Sequence, residues 1–327
     1  MDATLILDLG ADGNRGVLSA RMTRRGLEFV PVSVKVVWFT DPHNIWCWGC
    51  EPTIRRLETL YEGQVDVEAR QGGLFEDFSP VREQWARMSG GRWKDSVRAF
   101  FEAVAAQHRM PMDADRMTES VDDFSSTWPA CLAAKAADLQ GRGVGRAYLR
   151  SLREAWCLDG RPIHRRSVQE EVAAEVGLDV PAFRNALDDG SADAAFRWDR
   201  EACQEAEVTG FPTFELSREN ETVRIDGWQP WETFDEFLMK LDPDLQPTVV
   251  EPTPESVLGL VQRLGRCATR EIAAMLDGTD DDAEILLEEL EGRGAVLRRT
   301  IGRGLIWELT RAPNLRRTEE IRGEPSG

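Results

Sequence analysis

The chain has 327 residues, 42% of them hydrophobic, which predicts a globular protein large enough for more than one domain. Its formal net charge is −18 at pH 7, and this acidic composition excludes non-specific binding to polyanions such as nucleic acids. No stretch approaches the ~20 apolar residues of a membrane span, and the N-terminus lacks the pattern of a signal peptide. We therefore expect a cytoplasmic protein with no membrane contact. Dispersed Asp and Glu with few Lys favour a halophilic source over an ordinary acidic protein.

Residues 1–32 are interpreted as an N-terminal extension. They form either two short strands, Thr4–Leu7 and Leu27–Val30, around a Gly-rich turn, or a poorly ordered segment, or an artefact of the chosen start site. After them, residues 34–40 are a short β-branched and aromatic run typical of a buried strand. Apolar residues at helical spacing begin at Glu51, and Val65–Ala69 alternates like a second strand. The pair Cys47 and Cys50 therefore lies where a strand leads into a helix.

A long helical region follows these first elements. The helical insertion is expected over about 76–200, and Thr209–Pro212 is expected to be a turn. The segments 213–216 and 222–225 then predict a hairpin, and Trp231–Leu241 predicts a closing helix. The order is strand, helix, strand, helical insertion, strand, strand, helix.

A Pro-rich linker over 244–254 separates this part from a compact C-terminal unit over 255–311. Three helices are predicted there, over 257–264, from a cap at Thr269 to Leu276, and over 282–291. Two strands joined through Gly302–Gly304 follow them. Three helices with a β-wing describe a winged helix-turn-helix domain, and we expect the tail over 312–327 to be disordered.

The two cysteines Cys47 and Cys50 carry the clearest chemistry in the sequence. In the first turn of a helix, positions i and i+3 face the same side, so that two sulfur atoms can meet. The helix N-terminus favours a thiolate, which is the nucleophile of thiol–disulfide exchange. Cys47 is thus the predicted nucleophile, and Cys50 is predicted to resolve the mixed disulfide.

A metal site is the alternative use of such a pair, but zinc usually requires a second pair or His ligands at short spacing. The other cysteines are isolated in helical apolar contexts and are expected to be buried packing thiols. A redox relay from one of them to Cys47 is a weaker hypothesis. We expect neither a metal nor a cofactor. These four cysteines are Cys131, Cys157, Cys203 and Cys267.

Phe211 and Pro212 are the predicted docking site for an extended substrate. A cis peptide bond there would turn a backbone edge toward the cysteines, whereas an ordinary trans turn is the alternative. Thr209, Trp48 and His43 complete the predicted substrate-binding set. His43 is equally well explained as a loop histidine, and Trp48 as a groove or core residue. Asn44 is a good helix N-cap.

Several motifs, in this order, resemble the DsbA-like thioredoxin-fold family that includes FrnE-type dithiol-disulfide isomerases. The resemblance implies a thioredoxin fold with a helical insertion, and exchange of a dithiol with a protein or small-thiol disulfide opposite a cis-proline. It extends from about Val34 to Leu241. The motifs are 39–42, 46–49, Glu51-Pro52 with Arg55, Arg56 and Leu57, 72–74, Pro129-Ala130, 152–155, 159–161 and 208–213.

The chain departs from the family pattern at one decisive place. The family has Asp-Pro-x-Cys-x-x-Cys-Trp-Gly, and its first cysteine aligns with Asn44, so that Cys47 takes the place of the resolving cysteine. Either Cys47–Cys50 is a relocated working dithiol, or the site has lost its nucleophile. We favour a thiol–disulfide oxidoreductase or isomerase. The alternatives are a non-catalytic adaptor, as some DsbA-like relatives are protease adaptors, and a redox-sensing winged-helix regulator.

The C-terminal unit is expected to contact a protein partner or to form a dimer. Its candidate recognition helix contains Asp280–Asp282, Glu284, Glu288, Glu289 and Glu291, which would repel phosphates. We therefore do not expect DNA binding. The predicted fold class is α/β: a thioredoxin fold with a long helical insertion over 33–243, plus a small winged helix-turn-helix domain.

Overall fold

A computed structural model describes residues 32–310 in full, together with the backbone of three strands before them. These strands, β1 (Thr4–Leu5), β2 (Leu18–Thr23) and β3 (Gly26–Pro31), form an antiparallel sheet in the order β1-β2-β3. The expected strand over 27–30 lies within β3, whereas β2 was not predicted. The rest of the predicted strand over 4–7 and the predicted tail over 312–327 lie outside the described residues.

A four-stranded sheet forms the centre of the fold. It begins with β4 (Val34–Thr40), α1 (Ile45–Gly49), α2 (Glu51–Leu60) and β5 (Val65–Gln71). Strands β4 and β5 are parallel, with Val34 opposite Val65, so that α1 and α2 form the crossover between them. The side chains of β4 are mostly buried, which explains its β-branched and aromatic composition.

Eight helices lie between β5 and the next strand, which confirms the predicted insertion. The sheet is then completed in the order β5-β4-β6-β7, with β6 antiparallel to β4 and Trp38 opposite Phe214. The eight helices are α3 (Ser79–Met88), α4 (Trp93–His108), α5 (Ala114–Glu119), α6 (Trp128–Asp138), α7 (Arg142–Cys157), α8 (Arg166–Glu175), α9 (Val180–Asp188) and α10 (Ser191–Glu205). After them come β6 (Thr213–Arg218), β7 (Glu221–Asp226) and α11 (Trp231–Leu241). The chain therefore has the predicted α/β thioredoxin fold.

The C-terminal unit contains three helices and a three-stranded antiparallel sheet of order β8-β10-β9. Helix α13 begins at Thr269, so that Ala268 is its N-cap and Thr269, the predicted cap, is its first residue. The side chain of Glu271 accepts a hydrogen bond from the backbone N–H of Ala268 at 2.7 Å. Its elements are α12 (Pro254–Leu264), β8 (Cys267–Ala268), α13 (Thr269–Leu276), α14 (Asp280–Gly292), β9 (Val296–Ile301) and β10 (Gly304–Leu309).

One hydrophobic core joins this unit to the central sheet. Trp38, Ile54 and Phe214 belong to the same buried cluster as Ile272 and Trp307 of the C-terminal unit. The segment 243–253 carries no helix or strand, yet the apolar surfaces on its two sides pack together. The division of the chain into domains at this linker stays a prediction.

The β9–β10 hairpin packs against the helical insertion. A Cβ atom on Gly302 would overlap the carbonyl oxygen of Met112, and one on Gly304 would crowd Pro111. The guanidinium of Arg299 also donates a hydrogen bond to the carbonyl of Leu158 at 3.2 Å. The tip of the predicted wing is therefore an internal contact of this chain.

Candidate functional site

The loop after β4 is held by one buried carboxylate. Asp41 accepts hydrogen bonds from the backbone N–H groups of His43 and Leu74, each at 2.8 Å. The Cys131 thiol also donates to it, at 3.4 Å. Burial raises the pKa of Asp41, while these donors partly offset the rise. The loop therefore delivers Asn44 to the start of α1 in a fixed position.

Asn44 joins the two halves of the site. Its side-chain oxygen caps α1 by accepting from the backbone N–H groups of Trp46 at 2.9 Å and Cys47 at 3.3 Å. Its side-chain nitrogen donates to the carbonyl of Phe211 at 3.0 Å, across 167 positions of sequence. A polar side chain thus lies at the helix N-terminus opposite the proline loop, where the family pattern has its first cysteine.

The proline loop over 209–212 has one of the two conformations that the sequence left open. The Phe211–Pro212 peptide bond is cis, and Thr213 closes the loop by donating from its hydroxyl to the carbonyl of Gly210 at 2.9 Å. The ring of Phe211 lies directly on Gly72, because a Cβ atom at that glycine would overlap the ring. Thr209 is exposed at the edge of the loop. Of the predicted substrate-binding residues, Phe211, Pro212 and Thr209 lie together.

The two cysteines lie beneath this site. Cys47 has none of its surface exposed and Cys50 has 1% exposed, and both are free thiols in the hydrophobic core. Burial raises the pKa of Cys47 to about 11, and the positive charge of Arg153 offsets only part of that rise. Burial and the neighbouring Cys47 also raise the pKa of Cys50. A nucleophilic cysteine requires access and a lowered pKa. The catalytic roles of Cys47 and Cys50 therefore stay predictions, and their surroundings count against them.

Trp48 and His43 are both part of the interior. Trp48 is fully buried, its indole N–H donates to the carbonyl of Pro111 at 2.9 Å, and the guanidinium of Arg150 lies 4.4 Å from its ring centroid. Of the two interpretations of Trp48, a groove residue or a core residue, its burial supports the core residue, and its role in substrate binding stays a prediction. His43 has 7% of its surface exposed, and burial, with His164 nearby, lowers its pKa to about 3. It is neutral near pH 7, so that it neither carries a positive charge nor takes up a proton there.

A buried charge network around Glu51, at the start of α2, was missed by the sequence analysis. Glu51, which follows Cys50, accepts from Arg153 and from Arg146, each at 2.7 Å, and Arg150 lies 3.3 Å away. Burial alone would raise the pKa of Glu51, but these three guanidinium groups hold it well below its usual range. The three arginines recur at i, i+4 and i+7 on α7, a spacing that puts them on one helix face. That spacing was the available signal.

The same network ties in the C-terminal unit. Arg150 donates two parallel hydrogen bonds to the carboxylate of Glu271 on α13, at 2.8 and 3.0 Å. Arg55 lies 3.1 Å from the same carboxylate, and it donates to the carbonyl of Arg266 at 3.2 Å. Fork-like pairing of this kind is strong and directional. The surface of α2 that would otherwise face solvent is therefore covered by α13.

Comparison with known proteins agrees with this fold. A sequence profile of the thioredoxin family, Thioredoxin_5, matches residues 38–236. The chain belongs to this thioredoxin family. It is similar to "ClpXP adapter protein SpxH" of Shouchella clausii (strain KSM-K16), with 30% identity over 79% of this chain and 82% of the relative. The protein of the same description from Bacillus subtilis (strain 168) is 26% identical over 84% of this chain and 89% of the relative.

The chain is also similar to the solved structure of a disulfide reductase. The cytosolic disulfide reductase DsbM from Pseudomonas aeruginosa superposes with a TM-score of 0.50 at 25% identity, covering 63% of this chain and 99% of that protein. The predicted resemblance to DsbA-like thioredoxin-fold proteins is confirmed at the level of the fold. Within the described residues, no helix has both the length and the apolarity needed to cross a membrane. That same part of the chain holds no group of three or more His, Cys, Asp or Glu side chains suited to a metal ion.

Proposed function

We propose that this chain is a non-catalytic adaptor, which binds a protein client along the proline loop over 209–212, beside Asn44, and delivers it to a ClpXP-type protease. The observation that carries the proposal is the position of Asn44. It caps α1 and hydrogen-bonds to Phe211, in the place where the family pattern has the attacking cysteine. An amide there cannot form a mixed disulfide. The thiols at Cys47 and Cys50 lie inside the core with raised pKa values.

The similarity to two adapter proteins over most of both chains supports this proposal. Protein partners, rather than small thiols, are then the expected ligands. A cytoplasmic location is required by such a role, and it remains part of the proposal.

An insulin-reduction assay in high salt with dithiothreitol tests the absence of catalysis. We expect the wild type to leave the uncatalysed rate unchanged. Asn44→Cys restores the family pattern with Cys47 and is expected to accelerate reduction several-fold. Asn44→Ser is the matched control, since it keeps a capping oxygen without a thiol. Catalysis by the wild type that disappears in Cys47→Ser would contradict the proposal.

Delivery to the protease is tested separately. Sedimentation of the chain with the ClpX unfoldase of the same organism is expected to show a complex of defined stoichiometry, unchanged in Cys47→Ser. If no complex forms at micromolar concentrations of both proteins, the adaptor proposal fails even where the insulin result agrees with it.

A thiol–disulfide oxidoreductase of FrnE type is the second candidate. It is supported by the similarity to the reductase DsbM and by the i, i+3 spacing of Cys47, on α1, and Cys50, which lies between α1 and α2. For this function the core around α1 must open, because neither sulfur is accessible. Trapping of free thiols with iodoacetamide separates the candidates. An adaptor leaves both cysteines unmodified without denaturant at pH 8, whereas a working dithiol is alkylated within minutes.

We propose that the C-terminal unit is a domain packed firmly on the thioredoxin domain and that it does not bind DNA. Its hairpin tip packs on Met112 and Pro111 of the same chain, and α14 begins with Asp280, Asp281 and Asp282. Both features oppose docking into a DNA groove. A redox-sensing regulator is accordingly the weakest of the three functions. The exposed face of α14 remains the proposed surface for a protein partner or a second copy, and sedimentation of the protein alone tests the second copy.

A further inference from the structure

An apolar cavity of about 240 Å³ lies next to Asn44, between the start of α1 and helices α3 and α4. Most of its wall consists of rings and aliphatic side chains. The rings include Phe75, Phe78, Trp85, Trp93, Phe101 and Trp156. Protein interiors are normally packed with few voids larger than a water molecule. A space of this size under an ordered helix is therefore a candidate binding site.

Helix α3 forms one side of this cavity and packs on α4 through Trp85, whose ring centroid lies 5.7 Å from that of Phe100. Of its residues, all within the described part of the chain, none is buried. Val81 and Trp85 lie one turn apart on the same face, are half-buried, and line the cavity. The apolar face of α3 is thus only partly covered by the chain itself, and an occupant of the cavity would cover the rest.

The volume of the cavity limits what can enter it. An engineered cavity of about 150 Å³ binds benzene, so a space of about 240 Å³ has room for a larger ring system. Sites for drug-sized ligands and cofactors usually occupy roughly 300–1,000 Å³, which exceeds this space. One large aromatic group therefore matches the cavity.

The chemistry of the wall selects a neutral occupant. Within residues 32–310, no Lys, Arg, Asp or Glu lines the cavity. Its second histidine, His164, is hydrogen-bonded to Asp123 at 3.0 Å, and burial lowers its pKa, so the wall offers no free charge to an aromatic acid or amine. His43 lines it, and neither of its ring nitrogens has a hydrogen-bond partner among the described residues. A neutral imidazole keeps one acceptor nitrogen, which an indole N–H or a phenol O–H would satisfy.

One wall residue of the cavity also contacts the proline loop. Asn44 is part of its wall and at the same time donates to the carbonyl of Phe211 beside the cis-proline. A client that runs along 209–212 would therefore pass the cavity. An aromatic side chain of that client would enter the cavity without bringing a charged group into it.

We propose that this cavity is a specificity pocket, which receives one tryptophan or tyrosine side chain of the bound protein client. The inference rests on the proposed adaptor function for the identity of the client, but the pocket is tested with defined peptides. Binding of Ac-Gly-Gly-Trp-Gly-Gly-NH2, with 5-fluorotryptophan as the label, is followed by fluorine NMR. The peptide with Ala in place of Trp, added unlabelled, serves as competitor. Indole-3-acetate represents a free aromatic acid.

We expect the fluorotryptophan peptide to bind, the Ala peptide not to compete with it, and indole-3-acetate to bind at least tenfold more weakly. Val97→Phe places a ring in the cavity and is expected to weaken peptide binding at least fivefold. Ala103→Phe is the matched control, since it adds the same ring to the exposed side of α4 and should leave affinity within twofold. Val97→Ala enlarges the cavity and should retain binding with a shifted fluorine signal, which keeps the test decisive if Val97→Phe does not fold.

Two results would overturn the proposal. One is a folded Val97→Phe protein, or a Val97→Ala protein, whose peptide affinity and fluorine shift match the wild type. The other is tighter binding of indole-3-acetate than of the peptide, which would make the cavity a site for a free aromatic acid. Failure of the adaptor function is recognised separately, by the absence of a complex with ClpX while the peptide still binds.

Discussion

The carboxylate of Glu271 offers a quantitative test of how the C-terminal unit is attached. It has no exposed surface, accepts two hydrogen bonds from Arg150 at 2.8 and 3.0 Å, and lies 3.1 Å from Nε of Arg55. Glu271→Gln keeps the shape of the side chain and removes its charge. Two buried guanidinium groups are then left with one counter-charge fewer.

The size of the effect follows from the remaining partners. Breaking a buried ion pair on one side usually costs about 3–5 kcal/mol, because the other charge stays buried. Arg150 keeps Glu154 at 2.8 Å and Glu51 at 3.3 Å, so the substitution leaves it partly paired. We therefore expect a loss at the lower end, about 3 kcal/mol. With an unfolding entropy of about 2.1 cal/mol/K per residue, that loss lowers the melting temperature of a chain of 327 residues by roughly 4 °C.

Urea unfolding followed by tryptophan fluorescence measures this change. The control is Glu308→Gln, whose carboxylate is 55% exposed and 3.9 Å from Nε of Arg266, and its expected effect is under about 0.5 kcal/mol. If Glu271→Gln and Glu308→Gln shift the midpoint equally, the network does not hold the two parts together. The attachment would then have to come from apolar packing alone.

Three further substitutions test the site and its surroundings. His43 takes up a proton in the unfolded chain near pH 6.5 but in the folded protein only near pH 3, so stability falls on acidification. His43→Phe should remove about 2 kcal/mol of the loss between pH 8 and pH 5, as measured by urea unfolding at both pH values. Gly72→Ala puts a Cβ atom into the ring of Phe211 and should lower the free energy of unfolding by about 1–3 kcal/mol. Gly143→Ala is the control, because the space around Gly143 is open and no such clash arises. Gly302→Ala and Gly90→Ala share the cost of a positive φ, so a larger loss of melting temperature at Gly302 would measure the contact of the hairpin tip; equal losses would contradict that contact.

The elements that the sequence predicted well are those with a strong local pattern. Residues 34–40 and Trp231–Leu241 have the predicted bounds, because a buried β-branched run and a periodic apolar face are both visible within one segment. Helix α3 lies within the predicted helical insertion, but its bounds were not predicted, since none of its residues is fully buried. Strand β8 has two residues and exists only through pairing with β10, about forty positions away. Such elements depend on partners that a local pattern does not contain.

The site was predictable in its parts but not in its arrangement. Asn44 was recognised as a cap and as the residue aligned with the family nucleophile, whereas its bond to Phe211 depends on folding across 167 positions. The burial of Cys47 and Cys50 was equally non-local, since it results from the insertion and the C-terminal unit packing around α1 and α2. A Cys-x-x-Cys spacing reports which groups are close in a helix. It does not report whether solvent reaches them.

The charge network explains why the cysteine pair is poorly suited to exchange even if solvent reached it. A catalytic thiolate needs a nearby positive charge that is free to stabilise it. The nearest candidate is Arg153, whose guanidinium is already bound to Glu51 and to the hydroxyl of Thr40. Its charge is therefore shared with a carboxylate that follows Cys50 directly in sequence. The groups beside the cis-proline are the Asn44 amide and the Phe211 carbonyl, which are hydrogen-bonded to each other, and neither of them can form a mixed disulfide.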